Sequence, residues 1–120
     1  MSEEAKAFEV SVIVFRDGAT WTALALEMDI RGYGASRKAA VDDALAMITA
    51  QVSFAVQMGH AESVWKPADE KYRRMWENAR RNQFMAEISG SEAPADEIAD
   101  LVPIPLFGLK HKDEWIAARA

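Results

Sequence analysis

Hydrophobic and polar residues alternate near the start of the chain, and this pattern predicts a β-hairpin. Two alternating runs occupy residues 8–15 and 21–28, and successive side chains of a strand point to opposite faces. Asp17-Gly18 lies between the runs, a dipeptide that favours a tight turn because Gly readily adopts a positive φ. The buried face of the hairpin is expected to hold Phe8, Val10, Val12, Val14, Leu24, Leu26 and Met28.

The opposite face of the hairpin is apolar where a solvated face would be polar. It is expected to carry Ile13, Phe15, Trp21, Ala23 and Ala25. Two explanations remain open: a later segment of the chain covers this face, or it binds a partner or a second copy. Trp21→Asp separates them, because loss of folding supports the first explanation and loss of a partner with folding intact supports the second.

A short third strand over residues 30–34 and a long helix over residues 36–58 follow the hairpin. Gly32 and Gly34 predict a bulge or a close approach of the backbone to a neighbour. Ser36 is the expected N-cap of the helix, and Gly59 its expected end. The helix carries two neighbouring apolar stripes, whereas a helix that covers only a sheet needs one. We therefore expect it to contact a second helix or another subunit as well.

The second half of the chain predicts one more helix and an extended segment. Residues 67–88 are expected to form the helix, with a kink or an end after about residue 83 because Phe84, Met85 and Ile88 do not fit its apolar face. Residues 89–100 predict an exposed acidic linker. Residues 101–109 are apolar but contain two prolines, so they predict an edge strand or an extended packed tail. The chain is thus expected to be one α+β domain, residues 1–120: a small antiparallel β-β-β-α unit, a second helix and a C-terminal edge strand.

The composition narrows the chemistry. The chain has no cysteine, which excludes disulfides, zinc–thiolate sites and cysteine nucleophiles, and no cofactor is expected. Its first residues lack the order of a signal peptide, and no window holds about 18 consecutive apolar residues. We expect a cytoplasmic protein that does not contact a membrane.

Charge argues against general affinity for nucleic acid, since 14 basic and 19 acidic residues give a net charge of −5. A basic stretch, residues 71–81, is followed by an acidic one, residues 87–100. The basic stretch contributes Arg73, Arg74, Arg80 and Arg81 to one side of the second helix. This side is interpreted first as a solvated face. The alternatives are pairing with the acidic stretch of the same chain, a site for an acidic partner, or a site for nucleic-acid phosphates.

Glu27 and Asp29 carry an alternative, enzymatic interpretation. They lie two residues apart, so on a strand their carboxylates point to the same side. A two-metal nuclease needs clustered carboxylates that hold ions about 4 Å apart. The simpler interpretation is a solvent-facing strand end, and we expect no catalytic residue and no metal ligand in this chain.

The order of these elements resembles the HicB-like antitoxin domain over residues 8–58 and 102–106. The residues that carry the likeness are the F-x-V-x-V run with Asp17-Gly18, Trp21, Leu26-Glu27-Met28-Asp29, Gly34-Ala35-Ser36, Ala44-Leu45 and Ile104-Pro105. The resemblance implies a partial RNase H-like β-β-β-α-β fold that lacks nuclease residues. It also implies a bacterial toxin–antitoxin system, in which such a domain binds and blocks a small RNA-cleaving toxin. The chain departs from the family at residues 27–32, where the P-D-L-P-G step is absent, and it has no evident C-terminal DNA-binding module.

The function predicted from the sequence is that of a non-enzymatic protein–protein interaction module of HicB-like type, an antitoxin or a relic of one. Its expected partners are a small basic toxin and further copies of the chain, in a dimer or a larger homo-oligomer. Nucleic acid is not an expected partner. A nuclease that uses Glu27 and Asp29, and a nucleic-acid-binding protein that uses residues 71–81, are the alternatives.

Overall fold

The computed structural model describes residues 7–92 and 96–105, where four strands form one antiparallel sheet and two long helices pack on it. The strands are β1 (Ala7–Asp17), β2 (Thr20–Ala25), β3 (Ile30–Gly34) and β4 (Glu97–Pro105), and the helices are α1 (Arg37–Gln57) and α2 (Glu70–Ser89). A short 3-10 helix, Ala61–Val64, lies between α1 and α2 in the chain. The strand order is β3-β2-β1-β4. This arrangement confirms the predicted α+β fold.

The hairpin of β1 and β2 turns at Gly18, as the sequence predicts. Asp17 is paired with Thr20, so the turn contains two residues, and Gly18 has a φ of 66°, which a turn of this length favours. Across a two-residue turn, an odd-numbered residue is paired with an even-numbered one, and Ile13 is accordingly paired with Leu24. The length of the turn therefore decides which β2 side chains share a face with which β1 side chains.

Both faces of the sheet are buried, each beneath one helix. The face beneath α1 includes Val10, Val12, Val14, Ala23, Ala25 and Ile30, and α1 contributes Ala40, Ala44, Ile48, Val52 and Val56. The face beneath α2 includes Ile13, Leu24, Leu26 and Ala99, and α2 contributes Ala79 with Tyr72, Met75 and Trp76 at its margin. Because both faces of the central part of β1 and β2 are buried, apolar side chains occupy both sides of these strands there, for example Val12 and Ile13 on β1 and Ala23 and Leu24 on β2.

The two glycines of β3 allow this strand to lie directly against α1. A Cβ atom at Gly32 would be 2.2 Å from the backbone nitrogen of Ala44 and 2.5 Å from the carbonyl oxygen of Ala40. One at Gly34 would be 2.5 Å from the Cβ of Ala39. Of the two interpretations of these glycines, the structure confirms the close approach of backbone to backbone.

The ends of α1 agree with the predicted ones, whereas α2 starts later than predicted and continues to Ser89. The kink or end expected after about residue 83 is therefore wrong, because Phe84, Met85 and Ile88 stay helical with their side chains directed to solvent. The Ser36 hydroxyl accepts a hydrogen bond from the Ala39 N–H at 3.1 Å and caps α1, which ends just before Gly59. Helix α2 begins at Glu70 and not at residue 67, because residues 66–68 are engaged elsewhere. The Lys66 N–H donates to the Glu27 carbonyl and the Ala68 N–H to the Leu26 carbonyl, so this segment runs beside the chain that leaves β2.

The last strand starts within the predicted acidic linker. Residues 97–100 pair with β1, from Glu97 opposite Phe15 to Asp100 opposite Val12, and only residues 90–96 connect α2 to β4. The acidic residues of this stretch hid its strand pattern, in which every second side chain points to the α1 side of the sheet. Ile98, Val102 and Ile104 lie on that side. The predicted edge strand is confirmed, and residues 106–109 of that prediction lie outside the described residues.

Candidate interaction surface

The five hairpin residues predicted to share a partner-binding face lie on both faces of the sheet, which corrects that prediction. Ile13 and Phe15 lie on the α2 side, whereas Trp21, Ala23 and Ala25 lie on the α1 side. The reason is the two-residue turn, which pairs each odd-numbered β1 residue with an even-numbered β2 residue. The predicted buried set was mixed in the same way, since Leu24 and Leu26 belong to the α2 side.

Most of these hairpin side chains belong to the interior. Ile13, Ala23 and Ala25 have no exposed surface. The Phe15 ring is half-buried and stacks on Tyr72 of α2, with 6.1 Å between the ring centroids and 20° between the planes. Of the two explanations for the apolar hairpin, coverage by the chain itself therefore holds for Ile13 and Phe15.

Trp21 is half-buried against the α1 side of the core. The guanidinium carbons of Arg16 and Arg37 each lie 5.8 Å from the centroid of its ring, a distance at which a cation is attracted to an aromatic face. Trp21 thus joins β2 to the start of α1. It contributes to packing within the chain and leaves little surface for a partner.

The four predicted arginines lie on α2, on the sides away from the sheet. Arg74, Arg80 and Arg81 are exposed and Arg73 is half-buried. The Arg81 guanidinium donates to the Asn78 side-chain oxygen at 3.0 Å. These residues are therefore available to solvent, as the first interpretation of this stretch expects.

Trp76, the aromatic residue nearest to these arginines, is fixed to the sheet. Its indole N–H donates to the Asp100 carbonyl at 3.1 Å, and the Arg80 guanidinium lies 5.8 Å from its ring centroid. An indole held in this way is poorly placed to stack on a nucleic-acid base. The geometry gives the nucleic-acid interpretation no support.

The Glu27 carboxylate replaces a missing backbone acceptor. The Leu26 N–H donates to the Ser11 carbonyl at 2.8 Å, but the Leu26 carbonyl accepts from Ala68 and is directed away from β1. The Ser11 N–H donates instead to Glu27 Oε1 at 2.9 Å. Glu27 thereby completes the hydrogen bonds of β1 at the point where β2 ends.

Asp29, and the two nearby α1 carboxylates Asp42 and Asp43, do not join Glu27 in a metal site. Asp29 is exposed, in a turn, with a φ of 54°. Asp43 accepts the Tyr33 N–H at 3.0 Å, and Asp42 pairs with Lys38 at 2.7 Å. Within residues 7–92 and 96–105, no group of three or more His, Cys, Asp or Glu side chains is arranged to hold a metal ion.

The C-terminal half of α2 exposes three large apolar side chains that the sequence analysis noted only as misfits of its pattern. Phe84, Met85 and Ile88 are 58%, 54% and 64% exposed, on the side opposite Ala79 and Ala86, which face the sheet. We refer to these three residues as the α2 patch. The signal in the sequence was their departure from the helical period of the buried face.

The α2 patch is followed by an acidic surface. Glu87, Glu92, Asp96, Glu97 and Asp100 are all exposed. Residues 87–100 contain no Lys or Arg, so the segment that follows the patch in the chain carries only negative charge. Arg80 and Arg81, which are also exposed, lie about one helical turn before the patch.

Comparison with protein-family models, with curated proteins and with solved structures finds no match to this chain.

Proposed function

We propose that this chain is a non-enzymatic protein–protein interaction module of HicB-like type that binds a small basic protein. The observation that carries the proposal is the α2 patch, with its exposed Phe84, Met85 and Ile88 beside the acidic surface. The resemblance in the order of the elements supplies the type of partner, a small toxin. The charge of the surface agrees with the basic character expected of that partner.

The α2 patch has no role in covering the sheet. The opposite side of the helix does this through Ala79 and Ala86, and Gln83 is hydrogen-bonded to β4. Exposed apolar patches cost solubility, and on soluble proteins they mark binding sites more often than chance. Full burial of one such side chain contributes about 1.5–3 kcal/mol, so three of them supply much of the free energy of a specific complex.

The acidic surface accounts for the choice of partner. The five exposed acids within residues 87–100 attract a basic protein, while Arg80 and Arg81 before the patch can contact acidic groups of the same protein. The net charge of the whole chain, −5, has the same sign. Charge at the rim of an interface accelerates association and selects among partners, while the apolar centre provides most of the affinity.

The test is capture of the partner by the tagged chain and by two variants. The first variant, Phe84→Asp with Ile88→Asp, places charge in the α2 patch; the matched control, Ala46→Asp with Thr49→Asp, places two charges on the exposed side of α1. We expect the wild-type chain and the control to bind one stoichiometric small basic protein, and the first variant to lose it. Expression of that protein alone should arrest growth, and co-expression of the chain should restore it.

Three outcomes contradict the proposal. They are the absence of a stoichiometric partner, a partner that is acidic, and a partner that the Phe84→Asp/Ile88→Asp variant retains although circular dichroism shows it to be folded. An increase of the affinity with rising salt would contradict the electrostatic part alone, because salt screens the attraction between exposed opposite charges.

A further inference from the structure

Helix α1 presents a second apolar stripe that the rest of the described chain leaves open to solvent. Met47, Phe54 and Met58 are 45%, 64% and 56% exposed, and Ala50 and Gln51 lie between them on the same side of the helix. We refer to these five residues as the α1 stripe. Beside it, a shallow groove separates α1 from the 3-10 helix and is lined in part by His60 and Val64.

The absence of charge on the α1 stripe indicates what occupies it. Residues 44–61 contain no Asp, Glu, Lys or Arg, in a chain of which 28% of the residues are charged. A strongly charged partner finds no complementary charge here, whereas a second copy of the chain brings an equally neutral surface. Two copies with a net charge of −5 each repel one another, so an uncharged surface is the one through which they approach at the lowest electrostatic cost.

The stripe is also symmetrical about its centre. Met47 and Phe54 are two helical turns apart, and Ala50 and Gln51 lie midway between them. In a two-fold dimer, if one residue of the first copy contacts another residue of the second copy, the same pair is in contact with the two copies exchanged. Two antiparallel α1 helices that cross at Ala50 therefore place Phe54 of each copy against Met47 of the other.

We infer that the chain forms a two-fold homodimer through the α1 stripe, with the α1 helices antiparallel and Ala50 at the axis. The small side chain of Ala50 lets the two helices approach closely, and the larger side chains on either side fill the remaining space. This inference is independent of the proposed toxin-binding function, because the stripe lies on α1 and the α2 patch lies on the helix that covers the opposite face of the sheet.

The size of the stripe sets the strength of the dimer. A helix of 21 residues is about 30 Å long and about 10 Å wide, so one helix side covers less than the roughly 800 Å² per partner of a standard interface. We expect a reversible dimer whose population rises with protein concentration. Phe54→Asp should shift it to the monomer.

A membrane is the other surface that an apolar helix can meet. Of the helices described, α1 alone has the length and apolar composition needed to cross a membrane. About a third of its most apolar 18-residue stretch is buried in the protein. Helices that lie on a membrane surface carry Lys or Arg to contact the lipid headgroups, and residues 44–61 carry none. The observations therefore favour a second copy.

The chain has no cysteine, which permits a direct test of the symmetry axis. A single thiol introduced by Ala50→Cys should form a disulfide-linked dimer under mild oxidation. A residue at the two-fold axis lies opposite the same residue of the second copy, and a disulfide needs a distance of roughly 4.4–6.8 Å between the two Cα atoms. Thr49→Cys is the control, since this neighbouring exposed position points about 100° away around the helix.

Sedimentation velocity of the wild type, Phe54→Asp and Thr49→Asp provides the second measurement. We expect concentration-dependent dimerisation in the wild type and Thr49→Asp and its loss in Phe54→Asp. The inference is overturned if the wild type stays monomeric at about 1 mM, the range of the weakest specific complexes. It is also overturned if Phe54→Asp still dimerises, or if Thr49→Cys crosslinks as well as Ala50→Cys. Flotation of the wild type with neutral phosphatidylcholine vesicles, lost in Phe54→Asp, would assign the stripe to a membrane.

Discussion

The side-chain amide of Gln83 in α2 pairs with both backbone groups of Ala99 in β4. The Ala99 N–H donates to Gln83 Oε1 at 2.7 Å, and Gln83 Nε2 donates to the Ala99 carbonyl at 3.0 Å. Asp96 accepts from the Arg16 N–H on β1, so by alternation the backbone groups of Ala99 point to the open edge of the sheet. Gln83 thus occupies the place of a neighbouring strand at this position.

Gln83→Ala should lower the free energy of unfolding by about 1–3 kcal/mol, because two backbone groups that are partly shielded from water lose their partner. Gln83→Glu should destabilise the protein as well, since a carboxylate retains the acceptor but cannot donate to the Ala99 carbonyl. Urea unfolding measures both. Asn82→Ala, at the adjacent exposed position of α2, is the control and should change the stability by less than about 0.5 kcal/mol; equal losses in all three variants would contradict the role of the pair.

The remaining outward positions of β4 offer few donors to another strand. Pro103 and Pro105 have no N–H, and the Leu101 N–H donates to the Asp100 side chain at 2.9 Å. Proline and occupied donors are common means by which edge strands avoid pairing with other chains. This is a reason to place both proposed interfaces on helices and not on the sheet edge.

Gly32→Ala should be among the most damaging substitutions in the chain. The added Cβ would meet backbone atoms of α1 at 2.2 and 2.5 Å, and backbone cannot rotate away as a side chain can, so we expect a loss of about 3 kcal/mol or more. Gly18→Ala is the informative contrast: its Cβ meets nothing within 4 Å, and its positive φ alone costs about 1 kcal/mol. Thermal unfolding of the two variants compares them, and similar losses would contradict the steric explanation.

The order of strands and helices could be predicted from the sequence, but the orientation of the hairpin side chains could not. The alternation within β1 correctly separated Val12 from Ile13. On β2 the large residues, such as Leu24, were assumed to accompany the valines, while in fact Leu24 is opposite Ile13. Because helices cover both faces, hydrophobicity does not mark the buried side, and only the length of the turn carries the answer.

The candidate surface was harder to predict than the fold, for a related reason. Exposed arginines such as Arg74 and Arg80 could be recognised from their charge, but their exposure does not distinguish a solvated face from a binding site. Phe84 and Ile88 are apolar, and single-residue patterns assign apolar residues to a core. Only the placement of α2, with Ala79 against the sheet, shows that these two side chains are directed outward.

Glu27→Ala should destabilise the protein by about 1–3 kcal/mol, because it removes the acceptor of the Ser11 N–H inside the sheet. Glu27→Gln should recover most of this loss, since its amide oxygen can accept the same hydrogen bond. Asp29→Asn is a control for changes of charge alone, because Asn tolerates the positive φ of this exposed turn residue. Chemical denaturation and an RNA-cleavage assay together test both interpretations of Glu27. Cleavage that is abolished by Glu27→Gln and also by Asp29→Asn, without loss of stability, would favour the nuclease.

Tyr72 should titrate below its ordinary pKa of 10.0. Hydrogen bonding with Arg31 is the largest cause, followed by the positive charges of Arg31 and Lys71, all of which stabilise the phenolate and lower the pKa of Tyr72. The Arg31 guanidinium carbon lies 4.9 Å from the ring centroid. The chain has two tyrosines, so in a Tyr33→Phe background the ultraviolet absorbance of the phenolate reports Tyr72 alone. Arg31→Met should return the midpoint toward 10.

The same shift makes part of the stability depend on alkaline pH. The folded-state pKa of Tyr72 lies below the unfolded value of 10.0. The deprotonated side chain is therefore more stable in the folded protein than in the unfolded chain. The resulting contribution is present above about pH 10 and is lost as the pH falls through the folded pKa. We therefore expect the difference in unfolding free energy between the Tyr33→Phe protein and its Arg31→Met variant to increase as the pH rises toward 10. A difference that stays constant over this range, or identical phenolate midpoints, would show that Arg31 does not act on the Tyr72 hydroxyl.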